Sequence, residues 1–252
     1  MQAAGSYSAD ELDDIWRELK PIFAEIQGNG KCGFCETKLA RRGSGGADGD
    51  VEHYRPKGGV TDWPTMHDIP TGGNAETYYY WLTYEPRNYL LACRVCNQDF
   101  KQNFFPIAGV RCQPNTADED ELRAEHPYLL HPLDPKEPDP EDLIEFLGIV
   151  PRPRVPAPHP DYWRAVVTIE ILGFTEGRRL DLDLERAQEI VSIYLALQIG
   201  AVDPVAERVL QNLDNNATPH RNCARSFMRL CEADLAAAKR IALAALDAVR
   251  SI

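Results

Sequence analysis

The chain is poor in positive charge and contains no long apolar run. Its 252 residues hold 27 Lys and Arg against 39 Asp and Glu, a formal net charge of −12. Duplex affinity rests largely on neutralising phosphates, so this balance excludes a protein that coats DNA unaided. No stretch of about 18 apolar residues occurs, so no transmembrane helix is expected. Residues 1–14 are polar and acidic and carry no apolar core of a secretion signal. Disulfide-forming symmetry is missing too. Of 7 cysteines, four sit in two close pairs, and Cys112, Cys223 and Cys231 remain. An odd remainder fits a reducing cytoplasm better than a disulfide framework. No internal repeat is present.

The charge is unevenly spread. Residues 1–115 hold 12 Lys and Arg with 15 Asp and Glu, whereas residues 116–252 hold 15 with 24. The first half is therefore close to neutral, and nucleic-acid affinity is expected to be local or lent by a partner.

Two knuckles dominate the first half, Cys32-Gly33-Phe34-Cys35 and Cys93-Arg94-Val95-Cys96. Two Cys-x-x-Cys pairs are the ligand set of a tetrahedral structural zinc, and such an ion closes the long loop between them. Inside that loop stand Glu52 and His53. Neutral imidazole is the usual base for activating water near neutral pH, and a carboxylate can hold a hard cation. Adjacent residues of an extended strand face opposite sides, so the pair can serve two functions. Outside a zinc frame, the plainer reading of this His is a surface residue in a loop. Asn88 and Asn97 flank the second knuckle. The amide oxygen of Asn97 can ligate a divalent cation opposite Glu52, and Asn88 can tie the loop by hydrogen bonds. For an isolated Asn, a turn or helix cap is the commoner role.

Cys-x-x-Cys, Glu-His-x-x-Pro, an Asn and Cys-x-x-Cys-Asn together resemble the HNH endonuclease family of the zinc-ribbon type, over residues 31–106. The resemblance implies a ββα-metal fold with one catalytic divalent ion, Mg²⁺ or Mn²⁺, beside the structural Zn²⁺. It makes His53 the general base, Glu52 and Asn97 the ligands of the catalytic ion, and Asn88 the residue that orients the His-bearing loop. Glu52 stands where Asp is commoner, and Asn97 where a His often lies; both keep oxygen donors, which suit Mg²⁺. The strings Val51–Lys57, Tyr80–Tyr84 and Asn88–Cys93, with Leu129-Leu130-His131-Pro132 further on, are similar to the HNH proteins of prokaryotic anti-phage systems, the Septu and retron-associated group. That likeness implies an ATPase partner subunit and a DNA substrate.

Arg55, Lys57 and Lys101 are the basic residues nearest the site and candidates for holding the scissile phosphate, Arg bidentately and Lys as a point charge. The plain alternative is solvent-facing charge. His67, His126, His131, His159 and His220 lie in loops or Pro-rich stretches, where surface or packing roles are expected. The aromatic cluster Tyr78, Tyr79, Tyr80, Trp81 and Tyr84 can stack on bases, but core packing is the better expectation.

The expected architecture is α+β and helix-rich. An N-terminal segment, 1–27, holds a helix over Ser8 to Ile26, with Ser8 as N-cap and Glu11 completing a capping box. A zinc-stapled nuclease module spans 28–113, including a flexible turn at 43–49 and a surface insertion at 58–77. A Pro-rich acidic connector follows over 114–160, its apolar middle packed on the surface. A helical C-terminal domain covers 161–252, with helices near 161–172, 183–199, 203–214 and 221–250. Two rival functions remain: a zinc-ribbon scaffold that does no chemistry, and a stand-alone restriction-type nuclease. The second needs a basic reading element that the acidic C-terminal half does not offer.

Overall fold

The computed structural model describes residues 9–28, 30–39, 41–42, 46–47, 49–116, 118–175, 177–200 and 202–251. The expected cap Ser8 and residues 43–45 and 48 of the expected turn lie outside the described residues. The fold is α+β and helix-rich, with three two-stranded antiparallel sheets.

Helix α1 (Ala9–Ile26) turns Phe23 into the main core, while Ile22 and Ile26 stay exposed. Its end is tied down by Gln27. The side-chain amide donates to Leu91 O at 2.8 Å and accepts from Leu91 N at 2.7 Å. Gln27 thus imitates a neighbouring strand and covers an edge that would otherwise expose unpaired backbone groups. Strands β1 (Arg41–Arg42) and β2 (Gly46–Ala47) form a small ribbon. Strands β3 (Asp50–His53) and β4 (Tyr89–Ala92) pair antiparallel, with Asp50 opposite Ala92 and His53 opposite Tyr89. All four residues of β4 are buried, which explains its unbroken apolar reading. A short π-helix, Val95–Lys101, follows directly.

Between these strands, Tyr80–Leu82 and Pro86–Asn88 form 3₁₀ turns. The 58–77 segment is not purely a surface insertion, because Val60 and Trp63 are buried. Gly and Pro content reports chain direction, not burial. The connector also differs from expectation. Short helices α2 (Glu119–Arg123) and α3 (Pro140–Leu143) and the ribbon of β5 (Ile144–Leu147) and β6 (Val150–Pro153) structure it. Leu129, Leu130, Leu143 and Ile144 sit inside the same hydrophobic cluster as β4 and the knuckle cysteines.

Helix α4 (Pro160–Ile171) packs on that cluster through Ala165 and Ile169. Helices α5 (Leu180–Ile199), α6 (Pro204–Gln211), α7 (Arg221–Ala233) and α8 (Leu235–Arg250) build a second core around Ile190, Ile193, Phe227 and Ala242. The expected single helix over 221–250 is two. Asp234 leaves helical geometry at φ −149°, ψ 88°, and its carboxylate accepts from Ala237 N at 2.9 Å to cap α8. No helix among the described residues is long and apolar enough to cross a membrane.

Candidate metal centre and active site

The two knuckles converge. The Sγ atoms of Cys32, Cys35, Cys93 and Cys96 all lie within 4.8 Å of one another, and Cys35 and Cys93 are 3.8 Å apart. With Zn–S bonds of about 2.3 Å, two ligands of a tetrahedral zinc stand about 3.8 Å apart, so the donor set fits this ion. No other group of three or more His, Cys, Asp or Glu positioned for a metal occurs among the described residues. Local backbone explains the convergence. Gly33 N donates to Leu91 O at 2.8 Å, hooking the first knuckle to β4, which runs straight into the second. Hydrogen bonding from Cys32 holds the Cys35 and Cys93 thiols below their ordinary value, while burial pushes Cys32 and Cys96 up.

His53 ends β3 and is buried against Tyr89, the ring centroids 5.0 Å apart. Its Nε2 faces Thr83 O at 3.1 Å. A carbonyl only accepts, so Nε2 carries the proton of the neutral ring and Nδ1 is the basic nitrogen. Burial is the main cause that lowers its pKa to about 4, with Lys57 and Lys101 adding in the same direction. Asn88 clamps the loop that follows. Its Oδ1 accepts from Arg55 N at 2.8 Å and its Nδ2 donates to Arg55 O at 3.0 Å. Both faces of one peptide residue are gripped, so the direction in which the chain leaves His53 is fixed.

Glu52 is buried on the opposite side of β3, and its Oε1 meets Lys101 Nζ at 2.5 Å. Burial raises the Glu52 pKa, and Lys101 opposes the rise. Asn97, on the π-helix, donates from Nδ2 to Asp50 Oδ2 at 3.1 Å. Asp50 lies two residues before Glu52, so the two carboxylates share one strand face. The structure therefore brings Asn97 to Asp50 and Lys101 to Glu52.

Two of the three expected phosphate contacts are turned inward. Lys101 has no exposed surface, and besides Glu52 it donates to His53 O at 3.0 Å. Arg55 donates to Glu125 Oε2 at 3.1 Å and Leu122 O at 2.7 Å. Both charges are engaged by internal acceptors, which the sequence could not reveal because Glu125 and Leu122 lie about seventy residues downstream. Lys57 stays exposed, with His53 within its electrostatic reach. Among the other histidines, His131 and His220 are buried packing residues. Glu36 faces Lys31 and Asn222, and Glu85 pairs with Arg87. The aromatic cluster is split: Tyr79 is fully buried, Trp81 partly so, and Tyr80 and Tyr84 are exposed. Sequence reasoning missed Asp50, whose signal was its i,i−2 spacing from Glu52. It also missed Arg179, whose Nη1 reaches Cys96 Sγ at 3.2 Å from 83 residues downstream and left no local signal.

Comparison with known proteins adds one finding to this geometry. The chain is similar to the Septu protein PtuB. The relative, from Bacillus mycoides (strain KBAB4), is 32% identical over 142 residues, covering 56% of this chain and 41% of PtuB. The chain thus spans less than half the length of the curated relative it matches. No family profile matches the chain. No solved structure matches it.

Proposed function

We propose that the chain is an HNH endonuclease that hydrolyses DNA phosphodiesters with a divalent ion, as the effector of an anti-phage system working with an ATPase subunit. The observation that carries this reading is the grip of Asn88 on both backbone groups of Arg55, immediately after a buried His53 with one nitrogen already tied to Thr83 O. A scaffold has no need to fix the tautomer and the exit direction of a histidine. The convergence of the four cysteines and the likeness to a Septu protein support the same reading.

In this proposal His53 Nδ1 takes the proton of the attacking water. Its lowered pKa keeps it unprotonated across the neutral range. The negative charge of a bound phosphodiester moves that pKa upward, toward the value an effective base needs. Glu52 and Asn97 would hold the divalent ion, with Asp50 beside them, and the ion would neutralise charge on the phosphorane and the leaving 3′ oxygen. Lys101 opposes the rise that burial gives the Glu52 pKa, a different role from phosphate contact. Lys57 remains the proposed phosphate contact. The acidic C-terminal half leaves DNA capture to the partner.

The test is cleavage of plasmid DNA and of RNA by the full chain, with Mg²⁺ or Mn²⁺, with and without a candidate ATPase subunit. The expected result is DNA cleavage abolished by EDTA, with the metal midpoint raised in Asn97→Ala. Absence of cleavage in every combination would favour the non-catalytic scaffold.

A further inference from the structure

A zinc held by four thiolates carries a net charge of about −2, and burying that charge without compensation is costly. One guanidinium group of the C-terminal lobe touches the cluster, and a second is buried two turns further along the chain. Arg179, the residue before α5, is 5% exposed and donates from Nη1 to Cys96 Sγ at 3.2 Å. Cys35 and Cys93 are also within its electrostatic reach. Among the described residues no carboxylate lies at ion-pair distance from it, and its buried Nε has no hydrogen-bond partner. The guanidinium is held by the Cys96 sulfur and by the rings of Phe100 and Phe174, 5.6 and 5.9 Å from their centroids. Arg186, two turns along α5, is 2% exposed and lies between Phe146 and Phe174, 4.8 and 5.2 Å from their ring centroids. Its hydrogen bond to Ile149 O is long, 3.5 Å, and Asp183 stands 3.9 Å away. Cys35 is among the groups that act on it.

The same lobe touches the first knuckle twice more. The His220 ring faces Cys35 O at 3.1 Å and Glu185 Oε2 at 2.8 Å, and Thr37 Oγ1 donates to Glu185 Oε2 at 2.9 Å. These contacts bring the start of α5 onto the cysteine cluster from outside the segment that supplies its ligands.

We propose that Arg179 is a positioning residue of the zinc centre: its guanidinium hydrogen-bonds the Cys96 thiolate, offsets the charge of the loaded site, and so makes docking of the helical lobe depend on zinc. The inference rests on the four-cysteine zinc reading. The charge balance works in both directions. Without the charge of the loaded site, Arg179 is a buried cation with only the Cys96 sulfur and the Phe100 and Phe174 rings beside it. Without Arg179 the thiolates lose a charge-assisted donor and become more nucleophilic and more easily stripped.

The experiment follows zinc release from the full zinc-loaded chain into a chromogenic chelator, for wild type, Arg179→Met and Arg179→Lys. The Co²⁺-substituted proteins are compared by their sulfur-to-metal charge-transfer band. Arg179→Met is expected to release zinc about 10–100-fold faster, the range typical of groups that orient metal ligands. Its charge-transfer band should shift, and proteolysis should open the α5 region. Arg179→Lys, which keeps the charge but not the planar fork, should recover part of the retention. Wild-type release and an unmoved band in Arg179→Met overturn the inference. If that variant does not fold, Arg179→Lys decides: an intermediate rate with a shifted band supports the inference, and wild-type behaviour overturns it. A wild-type chain that binds no zinc overturns this inference and the zinc reading together. A zinc-bearing chain indifferent to Arg179 overturns this inference alone.

Discussion

At the scale of single residues, polar groups in this protein are fixed by what their partners can do. His131 is the clearest case. Its Nε2 faces Arg87 O at 3.1 Å, and Leu133 N donates to its Nδ1 at 3.2 Å. A carbonyl accepts and an amide donates, so only the neutral tautomer protonated at Nε2 satisfies both. Burial lowers its pKa to about 4, with Asp134 opposing. The folded pKa is below the unfolded one, so the unfolded chain takes up the proton first on acidification. Stability is therefore complete above the unfolded value and is lost as pH falls from about 6.5 toward about 4. Denaturant midpoints measured across that window should fall steadily, and His131→Gln should flatten the slope. His53 is shifted in the same direction, so the slope should not vanish. A midpoint that holds or rises on acidification contradicts this placement. The sequence marked His131 for a packing role but gave no sign of its two partners.

Helices, strands and turns obey local chemistry closely, and the departures have physical causes. Expected helices at 161–172 and 183–199 are found at 160–171 and 180–199, because an apolar stripe at helical period is a strong signal. Asp234 broke the last helix because its cap geometry depends on how α8 packs, which local propensity does not encode. The close approach of the lobe to the π-helix was equally hidden. Gly173 has φ +64°, and a Cβ built there would lie 2.0 Å from the Phe100 ring. Gly173→Ala meets both a left-handed backbone and a rigid ring, and should cost about 2–4 kcal/mol. Chemical denaturation would measure it; a loss under about 0.5 kcal/mol, the range of neutral surface changes, would show that the junction is looser than described.

Across the whole molecule, the legible part was the cysteine cluster and the illegible part was what surrounds it. The four cysteines declared themselves by spacing within 65 residues and converge in the fold. The connector did not: its Pro content and acidity read as a boundary, yet Leu129 and Leu130 are core and Tyr54 Oη donates to Leu129 O at 2.5 Å. Long-range partners such as Glu125 for Arg55 and Arg179 for Cys96 carry no pattern in one sequence. The functional proposal for the assembled chain hangs on His53, the only imidazole among the residues gathered at the site. The most direct measurement is the single-turnover cleavage rate of His53→Ala against wild type, with the proposed ATPase partner and Mg²⁺ present and with zinc content and melting temperature matched. Removal of a general base should slow cleavage by about 10²–10⁴-fold. A His53→Ala chain that cuts within about threefold of wild type, far inside that range, would contradict the account.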